Sequence, residues 1–435
     1  MAIVERPAEP VPSPAGSPLL RIPRAYRAAL VAVGLFGLLI LVRYWANVPD
    51  LTSSGLFGAA LVLMLPILLA GLGGLWSERT GVVNIGLEGM LILGTWFGAW
   101  AGWKWGPWAG VVGGILGGGM GGLIHAVATV TFGIDQVVSG VAINIIAGGA
   151  ARFLSAVAYR NPATGGSATQ SPQVTGSPIG SFSVPFLSGG HLFGWRTPDI
   201  TGWLADKHIK VVSDIAGPIH GLTSNINWLT LIAILLVPAS WFVLWRTSLG
   251  LRMRSAGEHP MAAESLGVAV YRMKYIGVVV SGMLAGLGGA ILVLESAGIY
   301  REGQTAGRGF IGLAAVIFGN WRPMGVLGAA GLFGYADTLR LRSAASPHGL
   351  VLFVAILLGI AFFYLVILRR KWTAGAIVGV IAAATAFWYI NTNQVPQELL
   401  SFTPHLVTLL VLSLASQRLR PPATDGRPYR RGQQI

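Results

Sequence analysis

The stretch TSLGLRMRSAGEHPMAAESLGVAVYRMK, Thr247 to Lys274, is the one long charged interruption in a chain otherwise oily enough to sit in a bilayer. It holds Arg252, Arg254, Arg272 and Lys274, with Glu258 and Glu264 between them. Pro260 suits a first helical turn, where its missing N–H costs nothing, and Gly267 is a natural stop. Between them MAAESL makes a helix of roughly two turns, ~10 Å long. Ala262 and Ala263 have side chains small enough for another protein to approach the backbone closely. From these residues alone a docking surface and a solvated connecting loop fit equally well.

The 435 residues on either side of and including this stretch are 53% hydrophobic and 11% charged, against about 25% charged in soluble proteins. Several continuous apolar runs approach the ~20 residues that a membrane helix needs. The runs do not alternate, which excludes a β-barrel. The expected fold is all-α: a polytopic transmembrane helical domain. The net charge of +14 does not point to nucleic acid. The basic residues gather at the N-terminus, in the opening stretch, at Arg369–Arg370–Lys371 and in the tail, all membrane-flanking positions, as the positive-inside rule requires. The chain has no cysteine, so disulfides, iron–sulfur clusters and thiol chemistry are excluded.

In chain order, residues 1–27 read as a disordered cytoplasmic leader and 28–417 as the transmembrane domain. Apolar spans are expected at 28–42, 56–76, 82–102, 108–132 and 137–158. The fourth contains GGILGGGMGG (Gly113 to Gly122), glycines dense enough for helices to pack backbone to backbone. A Gly/Ser/Thr/Pro-rich insert, 159–227, has no basic excess and falls outside the cell by parity. The span at 228–246 returns the chain to the cytoplasm at the opening stretch, 247–274, whose own arginines give the same side. After 275–298 comes the segment Gly307 to Arg340, broken at Gly319–Pro323. Its first piece is only ~16 Å long and cannot cross a ~30 Å core, the mark of a discontinuous helix. Later spans are expected at 350–368, 373–390 and 404–417, followed by a basic cytoplasmic tail, 418–435. Two passes within 307–340 put both termini inside, with about eleven or twelve crossing elements.

The sharpest polar site within the spans is LWSERTGVVNIGLEGMLILG, Leu75 to Gly94. The spacing of Asn84 and Glu88 predicts that they share one helix face. A carboxylate at bilayer depth costs about 2.5–3.5 kcal/mol on insertion scales, so a solute-path role and a structural hydrogen-bonding role are both open. Asn144 and Asn320 are further candidates for the path, Asn320 and Trp321 lying at the break where a plain turn is the alternative. Glu295 fits the headgroup level. Gly307–Arg308–Gly309 is only superficially like a phosphate cradle, because no Lys-Ser/Thr follows. No P-loop and no G-x-S-x-G elbow is present, and the seven histidines show no metal-ligand spacing. No catalytic residue, metal or cofactor is expected.

Several stretches resemble one family, the membrane permease subunits of ATP-binding-cassette (ABC) importers in the ribose/branched-chain amino acid permease superfamily, closest to its nucleoside (basic membrane protein-associated) branch. They are ERTGVVNIGLEGM (Glu78 to Met90), SAGEHPMAAESLGV (Ser255 to Val268), SGMLAGLGGA (Ser281 to Ala290), GRGFIGLAAVIFGNWRPMG (Gly307 to Gly325) and the tail Leu406 to Gly432. The resemblance implies a bacterial cell (plasma) membrane protein that pairs with a second permease. It also implies an ATPase of two nucleotide-binding domains on a separate chain and an extracytoplasmic solute-binding lipoprotein. It makes the opening stretch a coupling helix for that ATPase, with Gly257, Glu258, Pro260, Ala262, Ala263, Glu264 and Gly267 matching the family's docking loop. Nucleosides are the first expectation for the solute and simple sugars the second; an ion-coupled secondary transporter is the rival from another class. Two features depart from the family: a longer leader and insert, and apparent extra helices over 350–390.

Overall fold

A computed structural model of the chain describes residues 24–160, 164–176, 178–192, 194–207, 209–342, 345–392, 395 and 419–430. Its helices are, in order, α1 (Arg24–Ala46), α2 (Ser54–Glu78), α3 (Leu87–Trp105), α4 (Pro107–Ala126), α5 (Gln136–Ala158), α6 (Ile200–Asp206), α7 (Val212–Thr223) and α8 (Trp228–Arg246). They continue as α9 (Ser248–Glu258), α10 (Pro260–Ser265), α11 (Val270–Ile291), α12 (Arg308–Phe318), α13 (Pro323–Arg342), α14 (Ala345–Phe363) and α15 (Trp372–Asn391). Seven helices among the described residues are long and apolar enough to cross a membrane. The protein is an all-α polytopic membrane protein.

The expected spans at 56–76, 108–132, 137–158 and 228–246 coincide with α2, α4 and its closing π turn, α5, and α8. The expected break in 307–340 is the turn between α12 and α13. The span placed at 28–42 runs Arg24–Ala46 and the one placed at 350–368 begins at Ala345. Two further boundaries differ for a visible reason. The span placed at 82–102 begins at Leu87, because Gly81 takes a left-handed φ of 78° and stops the chain from continuing α2 into α3. The span placed at 275–298 begins at Val270, because Lys274 is buried and donates to the carbonyls of Thr80 (2.8 Å) and Gly81 (3.1 Å) rather than marking a water boundary. The run expected at 404–417, like most of the leader, lies outside the described residues.

Contacts cluster the chain into two units. In the larger, Thr52–His348 with Ile390–Ile435, α2 is the core. Leu65, Pro66, Ile67, Leu68, Ala70 and Leu72 are all buried and together cover every side of the helix, as a helix apolar all round requires. The glycines of α4 serve close approach: Gly114, Gly118 and Gly122, spaced by four, meet Gly282 and Gly286 of α11. A Cβ on Gly118 would stand 2.3 Å from the Gly282 carbonyl oxygen, so side chains larger than hydrogen are excluded along this seam. The 159–227 insert folds into α6, α7 and two short antiparallel strand pairs, Ser181–Phe182 with Ile226–Asn227 and His191–Leu192 with Trp195–Arg196. α7 rests on the start of α2, where the Thr52 hydroxyl donates to buried Asp214 at 2.7 Å.

The smaller unit, Met1–Leu51 with Gly349–Tyr389, holds α1, most of α14 and α15. Gly375 and Gly379 of α15 lie against Val366 and Phe362, so α14 and α15 form a tight hairpin.

Candidate functional site

The approach to α3 is built from backbone groups that α4 and α5 satisfy one by one. Gln136 accepts from the Val83 amide at 2.6 Å, and His125 lies 3.1 Å from the Val83 carbonyl and 2.9 Å from the Ser139 hydroxyl. Asn144 uses both ends of its amide: Oδ1 accepts from Gly89 N at 2.7 Å and Nδ2 donates to Ile85 O at 3.0 Å. Irregular backbone inside a membrane protein is tolerated only when its polar groups are paired in this way. The shared helix face expected for Asn84 and Glu88 does not form, because Asn84 precedes the first residue of α3. Asn84 instead donates to the Ser281 hydroxyl of α11 at 2.8 Å, and its Oδ1 is buried with no partner among the described residues.

Glu88, in the first turn of α3, reaches the start of the half-helix α12. Its Oε1 accepts from Gly307 N at 3.0 Å and its Oε2 from Gly309 N at 2.7 Å. The first amides of a helix have no internal partner and carry a partial positive charge, so a carboxylate is the complementary group. The Gly307–Arg308–Gly309 element thus does cradle an anion, the chain's own. Gly309 must be glycine: a Cβ there would lie 2.5 Å from Glu88 Cα. Arg308 turns aside to a buried ion pair with Asp337 of α13 at 2.7 Å, which pins α12 to α13. This pair escaped the sequence reading; its only signal was two opposite charges in one apolar segment.

At the far end of α12, charged residues from five segments converge. Asn320 and Trp321 turn the chain with φ of 50° and 53°. The indole of Trp321 donates to Glu78, and the Trp321 carbonyl accepts from Arg79 Nη2 at 2.6 Å. Arg79 also pairs with Glu258 at 3.9 Å and lies over the ring of Trp245, which Arg254 also faces. Burial lowers the proton affinity of Arg79, and Glu258 opposes that shift.

The opening stretch proves to be two helices, α9 and α10, rather than one; the expected Pro260 start and Gly267 stop (φ 82°) both hold. Gly257, Pro260 and Ala263 face inward: a Cβ on Gly257 would lie 2.4 Å from the Arg79 carbonyl, and Ala263 is buried. Of the two alanines expected to permit close approach from outside, only Ala262 is exposed. Glu258 and Glu264 are half-buried, while Gly267 and Leu266, the latter 84% accessible, face out.

Part of this surface is covered by the chain's own tail. Arg420 N donates to Asn320 at 2.8 Å, Ala423 N to Glu258 at 3.1 Å, and Thr424 N to the Gly257 carbonyl at 3.0 Å. The Tyr429 hydroxyl donates to Glu264, and its ring packs on Tyr271. Asp425 meets Glu78, with Lys274 nearby; burial pushes the Asp425 carboxyl up to about 7, against the pull of Lys274.

A family model described as "Branched-chain amino acid transport system / permease component" matches residues 56–361. The chain is 37% identical to the guanosine ABC transporter permease protein NupQ of Bacillus subtilis, over 66% of this chain and 82% of that one. It is 31% identical to the nucleoside ABC transporter permease protein NupC of Lactococcus lactis, over 85% and 94% respectively. A putative glucose ABC transporter permease protein of Haloferax volcanii is also 31% identical, over 87% of this chain and 98% of its own. No solved structure matches.

Proposed function

The chain belongs to the branched-chain amino acid transport system / permease component family, and on that premise we propose that it forms half of a membrane path for nucleosides. As a permease subunit it does not itself hydrolyse ATP. The nucleoside assignment is supported by the relatives of Bacillus subtilis and Lactococcus lactis, whose names specify guanosine and nucleosides. A second permease would complete the path, an extracytoplasmic binding lipoprotein would deliver the solute, and a separate ATPase would drive it at the bacterial cell membrane, with both termini inside.

The observation that carries the coupling reading is the outward face of α9–α10. Ala262 on α10 and Leu266 and Gly267 at its end project outward, with half-buried Glu264 beside them, while the inner face is locked to the bundle by Gly257, Pro260 and Ala263. A helix fixed behind and available in front is suited to receive a push from a partner. Arg79, which touches both Glu258 and the Trp321 carbonyl, joins that helix to the broken element α12–α13. Movement of the ATPase would thereby reach the half-helix and alternate the path.

Uptake by the complete transporter in proteoliposomes tests the solute. Adenosine, guanosine and uridine should compete with one another, and free ribose should not. Competition by ribose or glucose alone would favour the sugar reading that the Haloferax relative raises.

A further inference from the structure

The helix α7 of the extracytoplasmic insert has three faces, and the third stands open. The first is made of Gly217 and Gly221, four residues apart, with buried Asp214 beside them. It lies on α2: a Cβ on Gly217 would stand 2.6 Å from the Thr52 carbonyl oxygen, and one on Gly221 would collide with the Ser54 carbonyl. A Cβ on Gly58 would in turn meet the Gly221 carbonyl oxygen at 3.3 Å. The second face carries His220, whose Nδ1 is 3.2 Å from the Thr201 hydroxyl of α6. The third holds Ile215, Ile219 and Leu222, at the four-and-three spacing of a single stripe. These three side chains are 45%, 39% and 42% accessible.

Two connections fix the depth of that stripe. Thr52, Ser54 and Gly58, the residues of α2 and its approach that α7 touches, bracket the start of the 25-residue apolar span Ser54–Glu78. Gly58 is one turn inside that span, ~6 Å at helical rise. At its other end α7 is separated from the next span, which starts at Trp228, by residues 224–227 alone. Both connections put α7 at the boundary between the hydrocarbon core and the headgroups. With both chain termini inside, that boundary is the outer one. The side chains nearby have the chemistry of a boundary. Trp228 is exposed at the first residue of its span, and on α6 Trp203 is exposed with the Lys207 ammonium 4.9 Å over its ring. Tryptophan rings collect at this level, and a lysine there lays its stem on apolar surface while its charge stays in water.

Three side chains, each less than half accessible, fall well short of the ~800 Å² that each partner of a stable protein complex buries. Lipid demands neither that area nor a matching shape. Acyl chains cover an apolar helix face wherever it meets them, and such a face seats ~5–10 Å into the headgroup/acyl boundary. We propose that the Ile215–Ile219–Leu222 stripe of α7 is a lipid-contact surface, seated in the headgroup/acyl boundary of the outer leaflet. The insert is thereby held down on the membrane at α7 rather than standing clear of it. Through Gly217 and Gly221 the same helix braces the outer end of α2, the core of the bundle.

The chain has no cysteine, so one introduced thiol gives it one label. Ile219→Cys, on the stripe, and Lys210→Cys, on the exposed turn entering α7, are each labelled with bimane. Each is then assembled into the complete transporter in phosphatidylcholine/phosphatidylglycerol nanodiscs. Bimane at 219 should be quenched by brominated phosphatidylcholine, and its quenching by iodide should be several-fold weaker than at 210. Nanodiscs open both faces to iodide, so the result does not depend on which leaflet holds the helix. Leu222→Cys repeats the measurement on the same stripe and decides if Ile219→Cys does not assemble. Iodide quenching as strong on the stripe as at 210 would mean that α7 faces water, and would overturn the proposal. Quenching by neither agent, or lipid quenching lost when the second permease or the binding lipoprotein is added, would give the stripe to that protein and overturn it equally. None of these readings requires uptake, so a transporter that moves no nucleoside would sink the transport reading and leave this one standing.

Discussion

Glu88 and Glu264 lie in regions built on opposite principles. Glu88 is 7% exposed and spends both oxygens on backbone amides of α12. Glu264 is half-buried on an outward-facing helix, and its carboxylate accepts from the hydroxyl of Tyr429 in the tail, a residue 165 positions away. The first site is closed, because within a membrane protein no water stands ready to replace a lost partner. The second is assembled from a tail that returns to the bundle, and water or another chain can substitute for each contact. A buried carboxylate in a transporter therefore need not touch cargo; here it caps the half-helix α12 of the broken element.

Glu88→Ala is the strongest way to break this comparison. It strands two buried amides at about 1–3 kcal/mol each and leaves the α12 dipole uncompensated. The expected result is a large fall in the yield of monodisperse detergent-solubilised protein and in its Tm. Glu88→Gln keeps one good acceptor and should fall between. A Glu88→Ala protein of wild-type Tm that no longer transports would return Glu88 to the solute path.

The second substitution acts at the open site. Glu264→Arg reverses a charge on the outward face of α10 while leaving Ala263 and Pro260 to hold the helix. The protein should insert and keep its Tm, and uptake should drop about tenfold or more as the complementary partner is repelled. Glu258→Arg should do the same with some loss of stability, since it also sets a like charge beside Arg79. Normal uptake with either change would remove the docking role from α10.

How far each region was legible follows from the range of its interactions. The break in α12–α13 was readable because an eleven-residue apolar piece ended by Gly319, Asn320 and Pro323 is too short to cross and carries its own stop. The glycine seam of α4 was readable because its spacing of four is local to one helix. Pro260 and Gly267 bounded α10 for the same reason. The register of Asn84 with Glu88 was misread, since four residues apart means one face only if the helix has begun, and Gly81 delays it until Leu87. The Arg308–Asp337 pair, the capping of α12 by Glu88 and the return of the tail to Gly257 join residues far apart in the chain. No local period announces such pairings; they exist only once α2, α3 and α11 have fixed the positions of both partners.

The smallest effect, and the finest test of how open the second site is, lies at Asp425. Freed from the bundle, its carboxyl has the ordinary value of 3.8; docked, it is raised to about 7 by burial, with Glu78 facing it and Lys274 and Arg79 holding the rise in check. The docked tail therefore binds more protons than the released tail between those values. Docking is at full strength below pH 3.8, weakens as pH rises towards about 7, and is level above it. Within that window each pH unit weakens docking by up to about tenfold. Exposed Arg430 provides a trypsin site in the tail (Arg427 does not, because Pro428 follows it), and hydrogen exchange over 419–430 reads the same opening where trypsin is inactive. Protection should decline from pH 5 to 7 in the wild-type protein. In Asp425→Asn, whose amide donates at every pH, protection should stay nearly constant and uptake should change only severalfold. A flat wild-type profile would mean that the tail is held by Thr424 and Tyr429 alone, and that the open site is more nearly closed than its charges indicate.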